Sequence, residues 1–174
     1  MKEKSFFEVV RGRRSIRAFK DTPVGKSVLE RIMQVCDMTP SSGGFQSFEV
    51  YQISSKNMKE QLVGAAMDQE FISQAPLVLL FCANPVRSGY KYGERSKLFS
   101  VQDATIAAAY TQLTVQAMGL ATVWVGAFNE QKVSEIARLP ADQRPVAILP
   151  IGYPAEKPKD KTTRGPQDLL HVAE

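Results

Sequence analysis

A single histidine, a single tryptophan and two cysteines are all that this 174-residue chain holds of those residue types. Cys36 and Cys82 lie 46 positions apart, each in an apolar run and without a C-x-x-C pattern. Neither a metal centre nor a disulfide framework is therefore expected, and both thiols read as buried and reduced. Long hydrophobic runs are missing too. The longest, Leu77–Ala83, is far too short to cross a bilayer, and the opening Met1-Lys2-Glu3-Lys4-Ser5-Phe6 has no apolar leader core. The expectation is a cytoplasmic protein with no membrane contact. Internal repeats, low-complexity tracts and interdomain linkers are also absent. A chain of this length buries roughly 70% of its unfolded surface, so residues 1–174 are expected to form one domain.

Charge is ordinary in amount but not in placement. The net charge is +4, yet residues 11–20 carry Arg11, Arg13, Arg14, Arg17 and Lys20 with no acid among them. That segment holds +5 and the remaining chain sums to −1. Charge gathered so tightly suits a compact anion such as a phosphate better than an extended polyanion, so nucleic acid is not the expected partner.

The hydrophobic pattern predicts alternating helices and strands. A short first helix fits Phe6, Phe7, Val9 and Val10, and a second fits residues 26–38, where apolar side chains form one stripe up to Thr39-Pro40. Residues 48–53 read as a strand, and Ser54-Ser55 offer a cap for a helix from Lys56. The continuous apolar run Leu77–Ala83 suits a central strand covered on both faces. Residues 84–98, polar and interrupted by Pro85, Gly89 and Gly93, read as a mobile loop. An alanine-rich helix over 100–118, stopped by Gly119, precedes a strand at 122–125, a short helix at 130–139 and a strand at 146–151. The tail after Tyr153-Pro154 has too few apolar residues to fold alone. The class is α+β with at least four strands.

Three segments carry chemistry. Arg13-Arg14-Ser15-Ile16-Arg17 alternates guanidinium forks with a hydroxyl, a set suited to phosphate, with a solvated basic loop as the alternative. Pro40-Ser41-Ser42-Gly43-Gly44-Phe45-Gln46 combines a helix stop, hydroxyls, glycines and an amide, and fits either a loop against a planar ligand or an ordinary turn. At Trp124-Val125-Gly126-Ala127-Phe128 a strand ends on small residues whose backbone N–H groups are candidates to meet a ring nitrogen; a strand-end turn is the alternative. His171, in the tail, reads as a surface or interface residue.

In this order, R-R-S-I-R, P-S-x-x-x-x-Q and G-L-x-T-x-W-x-G-x-F resemble the FMN-dependent nitroreductase family. Tyr92-Gly93-Glu94-Arg95, Gln102-Asp103-Ala104 and Gly152-Tyr153-Pro154 before a basic tail extend the likeness over residues 6–164. The resemblance implies a three-layer α/β/α sandwich with a mixed, mainly antiparallel sheet. It further implies a homodimer with FMN at the interface, the tail from about 154 to 174 reaching the partner, and electron transfer from NADH or NADPH to a nitroaromatic, quinone or related small acceptor in two steps. It carries Arg13, Ser15 and Arg164 onto the phosphate, with Lys161 beside them, Arg14 onto the ribityl and pyrimidine side, and Arg17 onto the flavin edge that gains negative charge on reduction. Pro40, Ser41, Ser42 and Gln46 match the loop that the partner subunit supplies, and Val125, Gly126 and Ala127 match the backbone passing the flavin N5. No side-chain acid or base is required of the chain. The sequence departs from the family pattern at Gly44, where asparagine is common, at Ser47 and Phe48, where proline and tryptophan often stand, and at Thr162, where a lysine often precedes the arginine. Other readings are a flavin- or anion-binding module without turnover, or a relative that performs reductive dehalogenation or flavin fragmentation.

Overall fold

The computed structural model describes residues 4–173. Its centre is a four-stranded sheet in the order β1-β2-β4-β3, where β1 is Phe48–Gln52, β2 Leu77–Ala83, β3 Ala121–Thr122 and β4 Arg144–Gly152. All three strand pairs are antiparallel, and the parallel component is an isolated bridge between Ser15 and Thr122. β2 is buried at every position, as its unbroken apolar run predicts for a strand with a neighbour on either side and a helical layer on each face.

Side chains of β2 alternate between two cores. Val78, Leu80 and Cys82 point to one, with α3 (Lys56–Ala65), α4 (Phe71–Gln74) and α7 (Glu130–Ala137). Leu77, Leu79 and Phe81 point to the other, with α2 (Lys26–Asp37) and α6 (Arg95–Ala117). The result is an α+β three-layer sandwich. Each fully buried Leu, Ile or Phe side chain contributes about 1.5–3 kcal/mol, against a net of about 1 kcal/mol for a typical hydrogen bond, so the two apolar faces dominate the stability of the layers.

Local signals set the helix starts. Ser5 and Glu8 form a reciprocal capping box at α1 (Phe6–Gly12), Ser55 caps α3, and Asn129 caps α7. In α6 the buried residues Ser96, Ser100, Asp103, Ala104, Ala107, Ala108, Thr111 and Val115 fall on one stripe, and its alanines let the helix lie close to the sheet. Cys36 and Cys82 are buried and unpaired, and burial pushes the Cys82 thiol up to about 12.

Residues 84–98 are not a loop. Val86–Tyr92 form α5, Gly93 turns the chain with φ of 53°, and α6 begins at Arg95. Tertiary packing overrides the weak local pattern. Tyr92 meets Phe99 edge-on at 5.0 Å and Phe45 at 5.8 Å, and the Arg95 guanidinium lies 4.9 Å from the Phe99 ring. The strand expected at 122–125 is also shorter, because after Thr122 pairing resumes only at the Val125–Ile148 bridge. Among the described residues no helix is long and apolar enough to cross a membrane.

Candidate functional site

Beyond α1 the basic segment runs extended, so its side chains alternate. Ile16 is buried and its N–H donates to the Thr122 carbonyl at 3.2 Å, while Ser15 and Arg17 face outward. The tail returns antiparallel to this segment. Lys20 N–H donates to the Tyr153 carbonyl at 2.8 Å, Ala155 N–H to the Ala18 carbonyl at 2.9 Å, and Arg17 N–H to the Glu156 carboxylate. Arg14 closes the ribbon, with Nε donating to the Lys159 carbonyl at 3.2 Å and Nη1 to the Arg11 and Arg13 carbonyls. Its guanidinium is therefore held by the protein's own backbone.

Arg13 is half-buried. Desolvation first, and the like charge of Arg14 second, hold its guanidinium below the usual arginine value, although arginine stays charged. Among the described residues no carboxylate pairs with the guanidinium of Arg13, Arg14 or Arg17. An anion placed here would pair with the Arg13 guanidinium and offset the like charge of Arg14, so the site fits a phosphate. Arg17 is exposed, 6.0 Å from the centre of the Phe71 ring.

The turn at 125–127 lies on the same side. Val125 is buried and exchanges two backbone bonds of 3.0 Å with Ile148, and the chain then surfaces at Gly126 and Ala127. Gln69 Nε2 donates to the carbonyls of Ala66, at 2.8 Å, and Ala127, at 3.3 Å, two residues before the Phe71 that neighbours Arg17. A Cβ on Gly126 would stand 2.9 Å from Trp124 Nε1, so the close backbone approach requires glycine.

The loop after α2 is held by polar bonds. Ser42 donates through both N–H and Oγ to Asp103 Oδ1, each at 2.9 Å, and Ser47 N–H donates to Asp103 Oδ2 at 3.1 Å. Gln46 N–H donates to Ser41 Oγ at 2.9 Å, and Gln46 Nε2 to the Asp37 carbonyl at 2.7 Å. Gly43 and Gly44 supply left-handed backbone with φ of 61° and 77°. Between Pro40, Ser41 and Ser42 and the α6 residues Val101, Thr105 and Ile106 is an open cleft of about 480 Å³.

These pieces do not all meet at one place on the chain. Arg14 and Gln116 line a recess at the C-terminal end of α6, whereas the 40–47 loop is tied to Asp103. Asp103 and Gln116 stand 13 positions apart in α6, about 20 Å of axis. Lys161 and Arg164 are exposed beyond the strapped part of the tail, as is His171. Phe71, Gln69 and the anchoring part played by Asp103 were not legible as site features; the signal for Asp103 was a lone acid inside an apolar, alanine-rich helix.

Comparison with known proteins points to one family. The model of the nitroreductase family matches residues 10–69 and 60–153. An FMN reductase [NAD(P)H] of Bacillus subtilis is 33% identical over 92% of this chain and 70% of its own length. An oxygen-insensitive NADPH nitroreductase of Salmonella typhimurium is 29% identical over 94% of this chain and 71% of its own. Among solved structures, B. megaterium NfrA2 superposes with a TM-score of 0.88 at 29% identity, covering 100% of this chain and 75% of the other.

Proposed function

The chain belongs to the nitroreductase family, and from that premise we propose that it is an FMN-dependent oxidoreductase that takes electrons from NADH or NADPH and passes them to a nitroaromatic, quinone or related small acceptor in two successive steps. The observation that carries this reading is a strip of guanidinium groups, Arg13 to Arg17, that form no ion pair among the described residues, beside the exposed backbone of Gly126 and Ala127. Bound FMN would supply the two-electron chemistry. The chain's own residues bind, orient and keep water out.

Arg13 and Ser15, joined by Arg164 and Lys161 from the tail, hold the phosphate through charge-assisted bonds. Arg17 stabilises negative charge at the flavin edge, which favours reduction. The Gly126 N–H would be the donor offered to the ring nitrogen N5, with Val125 and Ala127 on either side of it. Pro40, Ser41, Ser42 and Gln46 serve the site of the partner in a homodimer, a reading supported by the 20 Å or so of α6 between the two sets. Residues 1–174 act as one FMN-binding unit whose tail from about 154 reaches that partner. Arg14 takes the ribityl and pyrimidine side, and its Nε also ties the tail through the Lys159 carbonyl.

A binding module without turnover would be favoured by departures at Gly44, Ser47 and Phe48 that disable the pocket, but the Ser47 side chain is fully buried and Phe48 packs against the core, which leaves Gly44 as the exposed departure. The test is an absorption spectrum of the purified protein with FMN release on denaturation, then anaerobic reduction by each nucleotide and reoxidation by a panel of acceptors. A yellow dimer reduced by either nucleotide is expected. A colourless monomer after reconstitution with FMN would contradict the proposal.

A further inference from the structure

Asp103 is 1% exposed, sits in the middle of a helix and has no cationic partner among the described residues. A buried carboxylate in such a place is costly unless its oxygens are saturated by donors. Here they are. Oδ1 accepts from the Ser42 N–H and the Ser42 hydroxyl at 2.9 Å each, and Oδ2 accepts from the Ser47 N–H at 3.1 Å. The two oxygens thus bracket the loop at both ends, across 61 and 56 positions of sequence. Between the brackets the backbone turns left-handed at Gly43, Gly44 and Gln46, and Gln46 N–H closes on Ser41 Oγ at 2.9 Å. The glycines adopt this freely, whereas Gln46, a non-glycine with φ of 47°, needs support from outside the turn to hold it.

We propose that Asp103 is a positioning residue, and that its carboxylate sets the shape of the 41–47 loop which completes the flavin site of the partner protomer. The idea rests on the flavin reading above and adds a residue to it. Asp103 touches no ligand itself. Two features explain why aspartate is needed. The Ser42 hydroxyl, beside the cleft, spends its proton on Asp103, which leaves its oxygen available only as an acceptor. And both anchored amides are donors, so only a group that accepts through two separate oxygens satisfies them. In Asp103→Asn the volume is kept, but the amide NH2 faces either the Ser47 N–H or the Ser42 N–H, donor against donor.

The experiment compares wild type with Asp103→Asn, and with Asp103→Ser should the asparagine variant fail to fold, since the shorter hydroxyl avoids the donor clash yet cannot span both amides. Amide exchange is followed residue by residue, and FMN affinity by titration of the apoprotein. The expected result is exchange at least 10-fold faster at the Ser42 and Ser47 amides, unchanged protection in β2, and FMN affinity lowered about 10-fold. Unchanged exchange at both amides would overturn the proposal. So would a freed loop with unaltered FMN affinity. If wild type itself took up no FMN, the flavin reading would fall and the positioning claim with it, while the exchange data would still show whether Asp103 holds the loop.

Discussion

The two ends of α6 border polar segments that are satisfied in different ways. Toward its N-terminal half, the 41–47 loop finds its hydrogen-bond partners inside the protein, on Asp103, Asp37 and its own serines. Near its C-terminus, the basic segment keeps its backbone bonded to Thr122 and to the returning tail, but the guanidinium groups of Arg13 and Arg17 meet no acid among the described residues. The first region offers a fixed shape, and the second offers unspent charge. A flavin mononucleotide asks for both, a contoured wall for its ring and cations for its phosphate. Asp103, which holds the loop, and Gln116, beside the basic segment, are about 20 Å apart along one helix, and the proposal of a site shared by two protomers rests on that separation.

If the loop's value lies in its shape, changing its backbone should matter most. Gly43→Ala combines a left-handed φ of 61° with a Cβ that would collide with Tyr92 Oη and stand 2.9 Å from the Phe45 ring. The conformational penalty of about 1–2 kcal/mol and overpacking of about 1–3 kcal/mol together predict a loss of roughly 2–5 kcal/mol. Thermal unfolding should show it as a fall in Tm of roughly 4–20 °C; an unchanged Tm would mean the loop is not fixed as described. The basic segment should respond in binding. Arg13→Ala and Arg164→Ala each remove a charge-assisted contact of about 1.5–3 kcal/mol, a roughly 10- to 150-fold weaker FMN affinity by titration. Unaltered affinity in both variants would place the phosphate elsewhere.

Arg17→Ala separates charge from anchoring. Losing an exposed guanidinium near the reduced flavin should cost about 1–3 kcal/mol in that state, which lowers the two-electron midpoint potential by roughly 20–65 mV against a reference dye. A fixed potential with collapsed affinity for oxidised FMN would make Arg17 an anchor instead. The smallest effect concerns a pair remote from both regions. Glu130 accepts from Arg144 Nε at 2.8 Å and Nη2 at 2.7 Å, and this bond holds the Glu130 carboxyl below its ordinary value. A depressed folded value means the stabilisation is present above the ordinary glutamate range and fades as pH falls through the folded value. Both side chains are about half exposed, so screening limits the pair to about 0.2–1 kcal/mol, and Glu130→Gln should flatten the acid limb of the stability profile by that much. FMN affinity should not move.

The sandwich was readable because its determinants are local or periodic. β2 announced itself by an unbroken apolar run, α2 by a stripe, and α3 by its serine cap. Residues 84–98 were misread as a loop because α5 is polar and has no side-chain cap, and its tyrosines find their partners only after folding, on Phe45 and Phe99. The site was legible as segments rather than as geometry. Arginine forks and glycines marked where a ligand would lie, yet the sequence did not show that Arg14 is held by a carbonyl 145 positions away or that Asp103 holds Ser42. Those pairings depend on the tail and α6 returning to the same place.

The most direct test of a site shared across protomers is FMN titration of mixed dimers, one subunit carrying Arg13→Ala and the other Ser42→Ala with Gln46→Ala. Each parent homodimer has a defect in both of its sites. In the mixed dimer, one site would receive both defects and the other would pair an intact basic segment with an intact loop. The account predicts one tight site per mixed dimer, with the affinity of wild type. No tight site at all would mean that the loop and the basic segment of the same protomer serve the same flavin, and would contradict it.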